Sequence, residues 1–544
     1  MAQQSYRANL SASIYPMALS RAGRSVIVPQ IDQNYDRRVD PTGEQKTPGI
    51  PQALYLENVL PTVEGYQSVG LASQGSFSPA SNRAGRVEIR DADNGLIHVF
   101  FRDGLTTGMV FQDGTWRNLN VAGAAGKVFL VDSGFSSASI RGKTYIFNAG
   151  NLFELISDTF LGVPTFELQF IDDTAGTGAA LAPLGVLVDT VAIGSSFGYL
   201  LLMKRNSLTG KDTSVVWSSL LDETDFAPSL VTGAGGGAIE TIEGTGKYLL
   251  GTSYGFRIYA DNLVEAAYTG NPRYPFRFSG RDLDSVPLSR EAIYGQRDSD
   301  THLMISKNRG ILGITQQGAD RLAPELAEFL ERFRSGKDIF DAGTNTFSVT
   351  SNAFETNTAV SIYALGNKYI CVSTGDTPAT YASPQLYTEC YVFDISLNRY
   401  GKIKVQHTHV MESRGASAGF NTLVFVDTSS GVTQALILDT NSATTHSGVL
   451  LLGKFQGVRS RRIILEEVEL ESAGGSKEAC SLHILPSEDG KNFSAAVTPY
   501  EKAMSSKEVK QYFTHTEGKN ICLLIKGQFD LSAVQMNFHL GGHS

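Results

Sequence analysis

The feature that most constrains this chain is a spacing. Short apolar runs of five to seven residues recur along most of it, and the residues between them are turn formers. Gly95–Phe101 (GLIHVFF), Thr107–Phe111 (TGMVF), Val128–Asp132 (VFLVD) and Thr144–Asn148 (TYIFN) are separated by Asp103-Gly104, Asp113-Gly114 and Arg141-Gly142. Asp-Gly and Asn-Gly pairs favour the positive-φ turns whose twist matches that of flanking strands, so this texture reads as consecutive antiparallel hairpins. Paired runs continue to Thr422–Asp427 (TLVFVD) and Gln434–Asp439 (QALILD). A strand–turn–strand unit returning every 40–60 residues or so is the mark of a propeller or similar array, and the runs allow five to seven blades.

The expected fold is therefore all-β: an irregular β-propeller-like domain over 61–460, a C-terminal β-sandwich over 461–544, and an extended N-terminal arm over 1–60. The arm reading rests on five prolines (Pro16, Pro29, Pro41, Pro48, Pro51) and on the lack of an apolar period, with one candidate strand at Arg24–Pro29. Two segments have helical spacing. Asp320–Arg334 carries Leu322, Leu326, Phe329, Leu330 and Phe333 on one face and reads as a helical insertion near 320–334; Ser505–Phe513 is a weaker case.

A chain of 544 residues that is 42% hydrophobic and 19% charged can fill several cores. Its net charge of −9 and lack of a basic tail argue against a sequence-specific reader of DNA. Four scattered cysteines, with no C-x-x-C pair, give neither a zinc site nor a disulfide framework. The first residues lack the apolar core of a signal peptide, and no run reaches the roughly 20 apolar residues that span a bilayer, so synthesis in the cytoplasm and no membrane anchor are expected.

No nucleophile elbow, H-E-x-x-H or phosphate-loop motif is present. His407 and His409 sit two apart on an expected strand and could share a face, but no third ligand accompanies them. Ser487–Phe493 is one residue short of an Asp-box hairpin, which is a structural element. Paired carboxyls for glycoside hydrolysis could come from Asp189, Asp222, Asp225 and Asp282. Without motifs, the expectation is no catalytic residue, no metal, no cofactor and no enzyme activity.

Four strings in order resemble one family. Tyr55–Tyr66 (YLENVLPTVEGY) is similar to an N-x-x-P-x-x-x-G-Y opening. Val215–Phe226 (VVWSSLLDETDF) is similar to a W-S-x-x-x-D-x-x-D-F turn. Tyr391–Lys402 (YVFDISLNRYGK) resembles a Y-D-x-x-x-x-R-W-G-K blade, with Tyr400 in place of Trp, and Gly527–Gln535 resembles a final strand. Together they resemble the tail nozzle (tail tubular protein B, packaged-DNA stabilisation) family of short-tailed bacteriophages.

That resemblance implies a structural protein of the virion tail. A hexameric ring below the portal and adaptor would retain packaged double-stranded DNA and pass it through its lumen, contacting adaptor proteins and tail fibres or needle. It implies structural roles for Trp217, Asp222, Asp225 and Tyr400. Two small-residue loops, around Gly235 and Gly236 and around Thr380 and Tyr381, are candidates for narrowing the channel. The alternative is a glycan-binding or glycan-cleaving β-propeller used in receptor recognition.

Overall fold

A computed structural model describes residues 4–9, 30–31, 53–63, 65–77, 84–91, 95–122, 126–160, 163–171, 181–205, 213–244, 246–281, 287–295, 300–306, 310–322, 338–341, 346–349, 359–366, 368–375, 386–397, 399–414, 421–428, 433–439, 447–457, 462–472, 480–488, 500–502 and 509–540. These residues form seven four-stranded antiparallel blades and a β-sandwich. Blade 1 is Ala84–Asp91, Gly95–Arg102, Gly108–Gln112 and Thr115–Ala122. Blade 2 is Ser136–Ile140, Lys143–Asn148, Asn151–Phe160 and Val163–Ile171. Blade 3 is Thr190–Ser196, Tyr199–Arg205, Thr213–Trp217 and Gly235–Ala238. Blade 4 is Tyr248–Thr252, Gly255–Tyr259, Leu263–Tyr268 and Phe276–Arg281.

Blade 5 is Ile293–Gly295, His302–Ser306, Gly310–Ile314 and Ala319–Arg321. Blade 6 is Ala359–Leu365, Tyr369–Gly375, Tyr387–Asp394 and Arg399–His407. Blade 7 takes His409–Arg414, Asn421–Asp427 and Thr433–Asp439 from one end of the domain and its outermost strand, Gly70–Phe77, from the other. That last pairing closes the ring with backbone hydrogen bonds between segments far apart in sequence.

Each blade buries its two faces against its neighbours, and the clusters go once round the ring. Val99, Phe101, Ile146 and Phe153 join blades 1 and 2; Phe147, Leu152, Leu200 and Leu202 join blades 2 and 3; Leu201, Val215, Phe256 and Ile258 join blades 3 and 4. Tyr259, Leu263, Ile293 and Met304 join blades 4 and 5, and Leu303, Ile305, Ile362 and Ala364 join blades 5 and 6. Leu365, Cys371, Val410 and Phe425 join blades 6 and 7, and Phe100, Phe111, Met411 and Val424 return to blade 1. A fully buried Leu, Ile or Phe contributes about 1.5–3 kcal/mol, so each interface supplies several residues' worth of stabilisation to a fold that lacks a single central core.

The first strand of each blade lies innermost. Ile193 N donates to Ser136 Oγ at 2.9 Å, Ile362 N to Glu291 O at 2.9 Å, and Arg86 Nη1 to Val410 O at 2.8 Å, each between adjacent blades. The outermost strands of blades 1 and 2 also pair with each other in parallel, Leu119 opposite Phe166, which joins the two blades into one eight-stranded sheet.

Several sequence readings are modified. Val128–Asp132 is not a strand: it ends in a short 3-10 turn at Val131–Ser133. Its alternation buries Phe129 and Val131, while Asn148 replaces a ladder partner, accepting from Leu130 N at 2.8 Å and donating to Leu130 O and Gly134 O. The weak helical candidate Ser505–Phe513 meets the strand Val509–Gly518, held by pairing with Ile463–Ser472. Most of the 320–334 segment lies outside the described residues, as do Arg24–Ser25, Val26–Pro29 and Asp282; Ala319–Arg321 is the edge of blade 5.

The sandwich begins earlier than the expected boundary and draws on the N-terminal segment. Gly448–Gly457 pairs with Asn520–Gly527 in one sheet, and Ala53–Glu57 and Gln30–Ile31 add to it. In the other sheet Gln4–Asn9 pairs along Asp530–Leu540, which pairs in turn with Ile463–Ser472. That sheet continues through Tyr66–Ser68 and Val59–Pro61 into blade 6, with Val59 opposite Lys402.

Two of the strings quoted above therefore meet in space. Arg399 Nη1 donates to Gly65 O at 3.2 Å and Nη2 to Thr62 O, and its guanidinium lies over the Tyr66 ring. A side chain on Gly401 would lie 2.1 Å from Val59 O, so only glycine admits this crossing strand. Lys402 bonds Glu389 at 2.8 Å and sits 4.5 Å from the Tyr55 ring centre.

Candidate functional site

Because the innermost strands of a propeller run in the same direction, the residues that begin them gather at one mouth of the ring. Thr190 and Val191 begin the inner strand of blade 3, Lys247 precedes that of blade 4, Arg290 precedes that of blade 5, and Asp132 and Ser133 precede that of blade 2. Together with Phe147 and Arg205, these residues line a cavity of about 430 Å³. That is the size range of small-ligand sites, and ligand sites of this kind set a few convergent polar groups in a shaped recess.

Arg290 is almost fully buried. Its Nη2 donates to Phe135 O and its guanidinium lies 5.3 Å from the Tyr248 ring centre. Lys247 Nζ is 2.7 Å from Asp261 Oδ1. Arg205 and Asp132 are exposed. Thr190 is only 9% exposed, yet its Oγ1 has no hydrogen-bond partner among the described residues. A buried hydroxyl without a partner costs about 1–3 kcal/mol, and a ligand in the cavity would relieve that cost.

Deeper along the axis, side chains cross the ring. Tyr294 OH of blade 5 donates to Glu88 Oε1 of blade 1 at 3.3 Å, and Arg86 of blade 1 lies over the Tyr363 ring of blade 6. Tyr363 OH in turn accepts from Glu412 N of blade 7 at 3.0 Å. Burial pushes Tyr248, Tyr294 and Tyr363 above the usual phenol range, so all three remain neutral donors at neutral pH. Blades 5 and 1 are not neighbours, so the Tyr294–Glu88 bond crosses the ring.

The sequence-predicted residues lie elsewhere. Trp217 packs between blades 3 and 4, edge-on to Phe276 at 5.6 Å, and its Nε1 donates to Gly233 O at 2.8 Å. Asp222 Oδ1 accepts from Thr224 N at 2.9 Å and Asp225 Oδ1 from Ala227 N at 2.9 Å, so both carboxylates organise one turn. Tyr400 stands opposite Phe393 in blade 6.

Gly235 and Gly236 are not in a channel loop. They form the outermost strand of blade 3, opposite Trp217 and Val216, far from the axis. Their missing side chains allow close packing: a Cβ on Gly236 would meet Val215 O at 2.7 Å. Thr380 and Tyr381 lie outside the described residues. His407 ends blade 6 and His409 begins blade 7, and they bond separately, His407 Nε2 to Ser373 Oγ at 2.7 Å and His409 Nδ1 to Thr408 Oγ1 at 2.9 Å. Among the described residues no cluster of three or more potential ligands could hold a metal ion. Asp189 is exposed beside Thr190, in a positive-φ conformation.

No family model matches the chain, and no curated protein matches it. Solved structures that align include a glycoside hydrolase, 12% identical over 85% of this chain and 100% of its own, with a TM-score of 0.26. A family 43 arabinoxylan arabinofuranohydrolase from Bacillus subtilis, in complex with cellotetraose, is 10% identical over 85% of this chain and 96% of its own, with a TM-score of 0.23. A structure of carbohydrate-binding modules from the β-sandwich superfamily is 13% identical over 37% of this chain and 95% of its own, with a TM-score of 0.12. These correct the expectation of a non-enzymatic tail nozzle in favour of its glycan-binding or glycan-cleaving alternative: the three structures named are two glycoside hydrolases and one of carbohydrate-binding modules. At such TM-scores the overlap assigns no activity.

Proposed function

We propose that the chain binds a saccharide in the cavity at the propeller mouth. The observation that carries this is the mixture of groups in a ligand-sized recess. A sugar hydroxyl both donates and accepts, so its site needs both kinds of partner. Asp132 is an acceptor; Arg205, Lys247 and Arg290 are donors; Ser133 and Thr190 are both; Phe147 and Val191 give an apolar wall for the C–H face of a ring. An apolar ligand would leave the buried Thr190 hydroxyl without a partner, which disfavours it.

The test is titration calorimetry of the full chain against a panel of oligosaccharides, repeated with Ser133→Trp. Ser133 is exposed at the cavity rim, so an indole there fills the recess without disturbing a blade interface. The expected result is that at least one oligosaccharide binds and that S133W weakens it by roughly tenfold or more, the loss of about one good contact. Binding unchanged by S133W would place the site elsewhere and sink the reading. A reducing-end assay accompanies the titration: glycoside hydrolysis uses two carboxyl groups, and Asp132 is the one carboxylate among the residues that line the cavity.

A further inference from the structure

Resting on the saccharide reading, we infer that the ligand is an anionic saccharide whose carboxylate or sulfate is received between Arg205, Arg290 and Thr190. Three cations and one carboxylate, Asp132, line the cavity. Lys247 is paired with Asp261 at 2.7 Å, so Arg205 and Arg290 stand against the single carboxylate of Asp132 and leave the lining with one excess positive charge. Guanidinium groups present a planar fork of donors that matches an oxyanion. Arg290 is held in place before any ligand arrives, by its bond to Phe135 O and its stacking on Tyr248, so little of its conformational entropy remains to be lost on binding.

The second observation is independent of charge. Thr190 Oγ1 is buried, lines the same cavity and lacks a partner among the described residues. An unpartnered hydroxyl on the cavity lining has a proton to donate, and an oxyanion oxygen supplies an acceptor for it. A neutral ligand leaves the two guanidinium groups without an anionic partner, and Arg290, only 9% exposed, has little water to take that place.

The experiment measures affinity for three probes under low salt: a trisaccharide of galacturonic acid, its carboxyl-reduced galactose counterpart, and a sulfated galactose trisaccharide. An anionic probe binding at least tenfold tighter than the neutral one supports the inference, provided Arg205→Gln removes most of that preference. Thr190→Val, which keeps shape and loses the hydroxyl, is expected to weaken the anionic probe by roughly fivefold and leave the neutral probe nearly unchanged. The arm that binds tighter, carboxylate or sulfate, identifies the anion. Equal binding of anionic and neutral probes overturns the inference and leaves the saccharide reading standing. Binding of none of the three, with thermal unfolding of wild type and variants alike, sinks the inference; the oligosaccharide panel and S133W decide the saccharide reading separately.

Discussion

Replacing Arg257 with alanine is expected to cost about 3–5 kcal/mol of stability, one of the largest effects available to a single substitution in this chain. Arg257 is fully buried and sits on the second strand of blade 4. Its Nε donates to Glu265 Oε1 at 3.0 Å, its Nη1 to Asp300 O at 2.8 Å and Ile314 O at 2.9 Å, and its Nη2 to Tyr254 OH at 2.6 Å. Both carbonyls belong to blade 5, Ile314 on its third strand and Asp300 just before its second, so one guanidinium ties adjacent blades together. Alanine would leave Glu265 with Arg281 as its remaining cation, at 3.0 Å, and would strand the buried Ile314 carbonyl without its donor. The check is urea unfolding followed by tyrosine and tryptophan fluorescence. Removing both charges, as Arg257→Met with Glu265→Leu, is expected to cost less than R257A alone, because no buried charge is then left without its partner. If R257A unfolds at the wild-type midpoint, the network carries no net stability.

The hairpins were legible because their signals are local. Asp113-Gly114 and Arg141-Gly142 take positive φ at both positions, as the turn between two short strands requires, and neither needs a distant partner to do so. The Trp217 to Phe226 turn was legible for the same reason: Asp222 and Asp225 bond backbone two residues ahead. The origin of the outer strand of blade 7 was not. Gly70–Phe77 is a strand by pattern, but nothing within it says that its partner is Thr433–Asp439. Strand pairing across such a separation is decided by closure of the ring, which is a global property. The division between propeller and sandwich was misplaced on similar grounds, since Gly448–Gly457 has the same alternation as a blade strand and differs only in its partners.

The cavity left no motif at all. Asp132, Thr190, Lys247 and Arg290 come from four different blades, and each is an unremarkable polar residue in its own neighbourhood. What unites them is position: each precedes or opens an inner strand. A search for charged or hydroxyl residues at that one phase of the repeat could have found them, once the blades were counted. The glycine run at Gly235–Gly237 was misread in the opposite direction. Small residues suggested a mobile loop, whereas the contacts show glycine used for close packing of an edge strand against Val215 and Trp217.

Acidification from pH 6.5 to pH 4 is expected to destabilise the propeller steeply, through histidines that fold in neutral form. Burial is the main cause in each case. It lowers His98 and His407 to about 4 and His302 to about 3, and drives His409 well down. Nearby charge modifies this: Arg257 lowers His302 further, while Glu88 opposes the shift at His98. The bonding is consistent with neutral rings, since His98 Nε2 donates to Glu412 O at 2.9 Å and His302 Nδ1 faces Tyr259 OH at 2.8 Å. A free histidine titrates near 6.5. Below that pH the unfolded chain takes up protons that the folded chain refuses, so the unfolded state gains stability as pH falls. The contribution is complete above about 6.5 and is lost as pH drops toward the folded values. Each such histidine gives a slope of up to about 1.4 kcal/mol per pH unit, so four acting together remove up to about 11 kcal/mol over two units, comparable to the whole stability of an ordinary domain. At pH 5, unfolding should therefore take up about four protons per chain from these rings, beyond the carboxylates, measurable from the pH dependence of the urea midpoint. His407→Gln, which keeps a donor and acceptor near Ser373, should flatten that dependence by about one proton. A urea midpoint that stays level between pH 6.5 and 5 would show that these histidines are charged in the fold, and the buried neutral network would then be wrong.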